Sequence, residues 1–160
     1  MVTPFLYYNY DMFGDVVAHA SGGQLPGIGL ERPADLSRRE IQEKLSPAAV
    51  RAFFRLAAHW KLRDEDARGL LGGISNGSFY QLKRTPKTLD QDKLTRISLL
   101  VGIFKALNIL YSTRLADAWV QLPNSNSLFC GESPLAHMLK GGVPAMLHVR
   151  QLLDARRGGL

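Results

Sequence analysis

Between Leu62 and Lys87 two short amphipathic segments flank a pair of glycines, a pattern that admits few folds. Asp64, Glu65 and Asp66 put negative charge on the first turn of a helix, where the macrodipole favours it. Ala67, Leu70 and Leu71 give that helix an apolar face. Gly72 and Gly73 end it, because glycine adopts the left-handed conformation after a helix without a Cβ clash. Ser75 is placed to cap a second helix, in which Phe79 and Leu82 point inward. Asn76, Ser78, Gln81, Lys83 and Arg84 are left facing outward. Amides, hydroxyls and cations on one exposed face suit the base edges and flanking phosphates of a major groove. The stretch is thus a helix-turn-helix pattern. An ordinary helical hairpin with a polar surface reads the same way, and two details keep it open. The glycine pair lengthens the turn by a residue over the commonest form, and Asn76-Gly77 is a poor helix start, so the second helix is expected nearer Ser78.

Charge is unevenly placed along the 160 residues, whose formal net charge is +6. Before Ser46, acids such as Asp11, Asp15, Glu31 and Glu40 outnumber the cations. From Ser46 to Ser112 only Asp64, Glu65, Asp66, Asp90 and Asp92 oppose a long series of lysines and arginines. The positive excess travels with the helix-turn-helix, which favours an anionic partner such as double-stranded DNA. Cys130 is the lone cysteine, so no disulfide framework or four-thiolate site exists within one chain, in keeping with a reducing cytoplasm. No run has the length of a membrane span, and the N-terminus lacks the cationic-then-apolar order of a signal peptide.

Elsewhere helical signals dominate. Residues Met1 to about Gly29 read as an irregular arm rich in Phe5, Tyr7, Tyr8, Tyr10 and Phe13, which could stack on bases or dock on protein. Asp35 to Lys44 suggests a short helix. Ser46-Pro47 suggests the cap and first residue of a new one, with Leu45 and Val50 as a hydrophobic staple. Val50, Phe53, Phe54, Ala57 and Trp60 repeat at helical spacing and are assigned to the core, with His59 at its boundary. Asp90 caps a long helix carrying Ile97, Val101, Phe104 and Leu107 or Ile109, which joins two halves. Thr113 caps a helix with Leu115, Ala118, Trp119 and Leu122 on its apolar side. A loop follows from Asn124 to Glu132. Ser133-Pro134 starts another helix, Gly141-Gly142 stops it, and a last helix runs from Pro144 to Ala155 before a cationic flexible tail.

No catalytic constellation is visible. His19, His59, His137 and His148 lack metal-ligand spacing, and no lysine-bearing phosphate loop surrounds Gly72-Gly73. Cys130 has no cationic helix start beside it to activate its thiol. Neither a metal nor another cofactor is expected, and no enzymatic activity.

From Leu45 onward the chain resembles the MbcA/ParS/Xre antitoxins, which join an Xre-like helix-turn-helix to a C-terminal toxin-binding domain. Five pieces in the same order carry the resemblance. They are Leu-Ser-Pro-Ala-Ala-Val-Arg-Ala-Phe-Phe at 45–54, Leu-Leu-Gly-Gly-Ile-Ser with Phe-Tyr-Gln-Leu-Lys after it, and Leu-Thr-Arg-Ile-Ser-Leu-Leu-Val-Gly-Ile-Phe-Lys-Ala-Leu at 94–107. Ala-Trp-Val-Gln-Leu-Pro-Asn at 118–124 is the fourth. The fifth links Phe129, Gly131 and Ser133-Pro134-Leu135 to Met138-Leu139, Gly141-Gly142, Val149-Arg150 and Leu153-Asp154. The resemblance implies a RES-domain toxin partner that consumes NAD or transfers ADP-ribose, covered by the C-terminal domain and its tail. It also implies binding of the operon's own promoter. Trp119, Pro123, Asn124, Phe129, Gly131 and Pro134 would shape the toxin-binding fold. Arg150, Arg156, Arg157, Gly158, Gly159 and Leu160 would contact toxin, the arginines by pairing with carboxylates. Arg156-Arg157 is equally read as a solvated helix end.

The expectation is therefore an all-α chain: an irregular arm over 1–44, a helix-turn-helix bundle over 45–111, and a small helical toxin-binding domain over 112–160. Ser75, Asn76, Ser78 and Gln81 are the candidate polar contacts to DNA, and Tyr80, Lys83, Arg84 and Lys87 the candidate phosphate contacts. A homodimer is expected, so that two recognition helices reach grooves one turn apart, inside a cytoplasmic toxin–antitoxin complex. Two other readings fit the residues. One is a stand-alone transcription regulator; the other is a protein-interaction module that no longer binds DNA.

Overall fold

The computed structural model describes residues 34–158, and among them all regular structure is helical. The helices are α1 (Arg39–His59), α2 (Asp64–Leu70), α3 (Asn76–Arg84), α4 (Gln91–Leu110), α5 (Thr113–Trp119) and α6 (Pro134–Gly158). The aromatic arm expected over Met1 to Gly29 lies outside the described residues.

Helix α1 corrects the expected start at Ser46-Pro47. It runs unbroken through both residues, with Ile41 and Leu45 buried upstream. Proline removes one helical N–H and crowds the preceding turn. The buried Ser46 hydroxyl donates to Gln42 O at 2.5 Å and accepts the Leu89 N–H at 2.7 Å. The serine caps nothing. It staples the helix to the segment leading into α4. Downstream, Val50, Phe53 and Trp60 of the expected stripe are buried, Phe54 and Ala57 are half-buried, and Leu56, outside the stripe, is buried too.

Leu89 and Leu94, either side of the α4 start, are both buried. Asp90 caps that helix: its Oδ1 accepts the Lys93 N–H at 2.9 Å and its Oδ2 holds Lys93 Nζ at 2.7 Å. Burial pushes this carboxyl up. Hydrogen bonds from the Lys93 side chain and backbone, with the Lys93 and Arg96 charges, outweigh burial and hold it below the ordinary 3.8. A depressed folded-state pKa stabilises above the unfolded value and fades as pH falls through the folded one. Asp90→Ala is therefore expected to lower stability by about 1 kcal/mol at pH 7. The gap to the parent should narrow once pH drops below about 4. Denaturant titrations at pH 7 and pH 3 check this, and a gap that stays constant speaks against it.

Helix α4 is the axis of the fold. It packs on α1, α5 and α6, and Ile97 to Ile103 are buried on every side, not along one stripe. At its C-terminal end Leu107 lies inside and Ile109 is 60% exposed, which decides between the two. Helix α5 also turns differently from expectation. Ser112, not Thr113, precedes it, and Ala116, Trp119 and Val120 face the core while Leu115 and Leu122 stay exposed. The 124–132 loop closes on itself through Gly131 N–H to Asn124 O (3.1 Å) and Asn124 N–H to Glu132 O (3.1 Å). Phe129 at its tip stacks edge-on between Trp119 and His137. Ser133 caps α6 through the Ala136 N–H at 3.1 Å. The break expected at Gly141-Gly142 falls at Gly142, whose φ of 63° and ψ of −145° kink the helix. Beyond it α6 continues to Gly158, three residues past the expected end at Ala155.

Candidate nucleic-acid interface

The helix-turn-helix is built much as its residues dictate. Gly72 and Gly73 have φ of 94° and 78°, the left-handed region that ends α2. Two arginines then hold the turn. Arg68 Nε donates to Ile74 O at 2.9 Å. Arg96, from α4, pairs with Asp92 at 2.8 Å and reaches Leu70 O, the C-terminal end of α2. Arg68 has a sequence signal, as a cation on the last turn of its helix. Arg96 has none, because its carbonyl partner is 26 residues away.

Helix α3 starts at Asn76, earlier than expected. Ser75 Oγ accepts the Ser78 N–H at 3.1 Å, and Phe79 is buried with its ring 5.4 Å from that of Phe54. A cap and a buried aromatic together outweigh the roughly 1 kcal/mol that a glycine such as Gly77 costs in a helix. Phe79 and Leu82 fix the inward side. At about 100° per residue, Gly77 and Arg84 then lie straight outward, with Tyr80 and Gln81 about 50° to either side. Lys83 lies on the flank toward α1, its Nζ 5.9 Å from the centre of the Phe54 ring, and Ser78 lies on the opposite flank. A Cβ built on Gly77 meets nothing within 4 Å, so a partner could approach the α3 backbone there.

The sequence-predicted contact residues Ser75, Asn76, Ser78, Tyr80, Gln81, Lys83, Arg84 and Lys87 are all exposed around this one helix. Two of them have other duties. The Ser75 hydroxyl is spent on the cap and on Ser78 Oγ at 2.9 Å. The Tyr80 hydroxyl donates its one proton to Asp64 Oδ2 at 2.6 Å. That hydrogen bond, and then the Asp64 charge, raise the phenol above its usual pKa. A phenol so engaged has no proton to offer a phosphate.

The C-terminal candidates separate. Arg150 is 2% exposed, which corrects its assignment as a surface contact. Its Nε donates to Asp154 Oδ2 at 2.8 Å, and its guanidinium lies against Gly102 of α4. Arg156 Nη1 donates to Tyr111 Oη at 2.8 Å, and Arg157 stands 3.9 Å from Asp154. Both belong to the last turns of α6, so this part of the tail is helical. Gly158 is exposed, and Gly159 and Leu160 lie outside the described residues. Among the described residues no three His, Cys, Asp or Glu side chains gather where a metal could be held, and no helix is long and apolar enough to cross a membrane.

Residues 39–102, from the start of α1 to the middle of α4, match the antitoxin Xre-like helix-turn-helix domain. An uncharacterized protein of Sinorhizobium fredii (strain NBRC 101917 / NGR234), y4oB, is 42% identical over 114 residues, which cover 71% of this chain and 87% of that one. The chain belongs to the Xre-like antitoxin family. Within this family of regulators the outward face of α3 is the part of the fold suited to DNA.

Proposed function

We propose that this Xre-like chain is the antitoxin of a type II toxin–antitoxin pair. Its α3 face binds the promoter of its own operon, and its C-terminal helices cover a RES-type toxin that consumes NAD or transfers ADP-ribose. The observation that carries the DNA half is the exposed outward face of α3, with Arg84 at its centre, Gln81 beside it and Lys83 on its flank. Asn76, Ser78 and Gln81 supply base or backbone polar contacts in this reading, and Lys83, Arg84 and Lys87 the phosphate contacts. Two copies present two α3 helices to half-sites about 34 Å apart, so the DNA-binding form is a homodimer. Residues 45–111 form the DNA-binding part, with α1 beginning just ahead of it, and 112–160 the toxin-binding part.

The toxin half rests on the resemblance of residues 118–154 to the antitoxin pattern and on the arginine-bearing end of α6. Arg156, Arg157 and the three residues after them are the contacts proposed; Arg150 is withdrawn, being inside the protein. Co-expression with the neighbouring reading frame, followed by pull-down and growth rescue, tests the pairing. A mobility shift with the upstream duplex tests the DNA half. Deleting residues 156–160 is expected to reduce toxin neutralisation at least tenfold and leave promoter affinity within twofold. That contrast corresponds to about 1.4 kcal/mol or more on one partner alone. Full growth rescue by the shortened chain would show that the tail is not the obstruction.

A further inference from the structure

Lys44, Arg51 and Arg55 form a stripe along α1. All three are exposed. At 100° per residue they fall within about 40° of one another around the helix axis, on the side away from buried Phe53 and Leu56. Among the described residues none of the three has a carboxylate or hydrogen-bond partner, whereas other charges at the start of the same helix are paired: Arg38 with Glu40, and Arg39 with Glu43 at 2.9 Å. Arg51 and Arg55 stand four residues apart, where like charges repel on a helix surface. Stability alone does not account for an unopposed pair at that spacing.

The stripe adjoins the candidate reading helix. Phe54 lies between Arg51 and Arg55 in the chain, and its ring packs on Phe79 of α3. Lys83 of α3 sits over the same Phe54 ring. Positive charge therefore continues from α3 across Phe54 onto α1. From Lys44 to Arg55 the stripe is about 16 Å long at 1.5 Å per residue. A DNA strand carries one phosphate per 3.4 Å of axis, so this length can face several phosphates.

We infer that Lys44, Arg51 and Arg55 are a second row of phosphate contacts, which holds the duplex backbone beside the groove that α3 enters. The inference rests on the reading of α3 as the DNA-contacting helix. Such a row adds affinity without adding sequence discrimination, because phosphates carry no base information. It would position the reading helix and strengthen binding to any duplex.

The test uses the full chain carrying K44Q/R51Q/R55Q. Dissociation constants are measured between 50 and 200 mM salt for the upstream promoter duplex and for an unrelated duplex of equal length. The slope of log K against log salt is expected to shrink by about 2.7, at about 0.9 per phosphate contact, with both duplexes weakened alike. R114Q, which removes an exposed cation from α5 beyond the far end of α4, should leave the slope unchanged. An unchanged melting temperature confirms that the triple variant is folded. If K83A/R84A lowers the slope and the triple variant does not, the second row is wrong and the α3 reading stands. If R114Q lowers the slope by a full contact, the effect is one of net charge and the row is again rejected. Loss of toxin capture with an unchanged DNA slope assigns the stripe to the toxin and overturns the inference. A parent chain that binds neither duplex overturns both readings.

Discussion

Replacing Lys83 and Arg84 together by alanine is expected to weaken promoter binding roughly sixtyfold at 0.1 M monovalent salt. Each cation set against a phosphate releases a condensed counterion, so each contributes about 0.9 to the slope of log K against log salt. At 0.1 M that amounts to about eightfold per contact. Both side chains are exposed on α3, and neither has a carboxylate partner among the described residues, so binding need not first break an ion pair. The loss should be the same for promoter and unrelated duplex. Gln81→Ala should behave differently, lowering the preference for the promoter by about 1–3 kcal/mol with little change in slope. Lys83 also rests over Phe54, a contact worth about 0.5–1 kcal/mol at an exposed site, so the melting temperature of the double variant must be followed beside its affinity. A double variant with the parent's salt slope would remove both residues from the phosphate contacts.

How much of this could be read from the residues depends on the range of the interactions involved. Ser75 and Asp90 are legible as caps because a cap joins a side chain to an amide three residues on. Gly72, Gly73 and Gly142 are legible as breaks because a positive φ is a local demand. The face of α3 follows from Phe79 and Leu82 alone, since fixing the inward side fixes the outward one. The misread places depend on distant partners. Proline after serine ordinarily signals a helix start, yet α1 runs on through Pro47 and the Ser46 hydroxyl is taken by Leu89, 43 residues away. Tyr80 looks like a surface donor until Asp64 takes its proton. The all-round burial of α4 is invisible in a pattern search that looks for one apolar stripe, because α1, α5 and α6 enclose it from different directions. Arg150 is the sharpest case: nothing local distinguishes a buried arginine from the half-buried ones that follow it at Arg156 and Arg157.

That arginine leads to the second large effect, Gly102→Ala, which is expected to destabilise the protein by about 1–5 kcal/mol. A Cβ on Gly102 would lie 1.7 Å from Arg150 Nη1 and 2.8 Å from Cζ, far inside contact distance. The guanidinium would have to leave, and it has nowhere comfortable to go. Arg150 is 2% exposed and gives its Nε–H to Asp154 across one turn of α6. Overpacking a core costs about 1–3 kcal/mol, and a buried donor left without its partner about 1–3 more. Against this, alanine is favoured over glycine in a helix by about 1 kcal/mol, which offsets part of the loss. Arg150→Met discriminates between a clash and a general weakness of α4. Methionine is unbranched and lacks the planar head, so it leaves room for the new methyl group. If the clash is the cause, Gly102→Ala on the Arg150→Met background should cost at least 1 kcal/mol less than on the parent. Urea midpoints of the four proteins give the comparison, provided the m-values agree. Equal costs on the two backgrounds, or a Gly102→Ala protein as stable as the parent, would mean that the guanidinium does not hold α4 and α6 at their close approach.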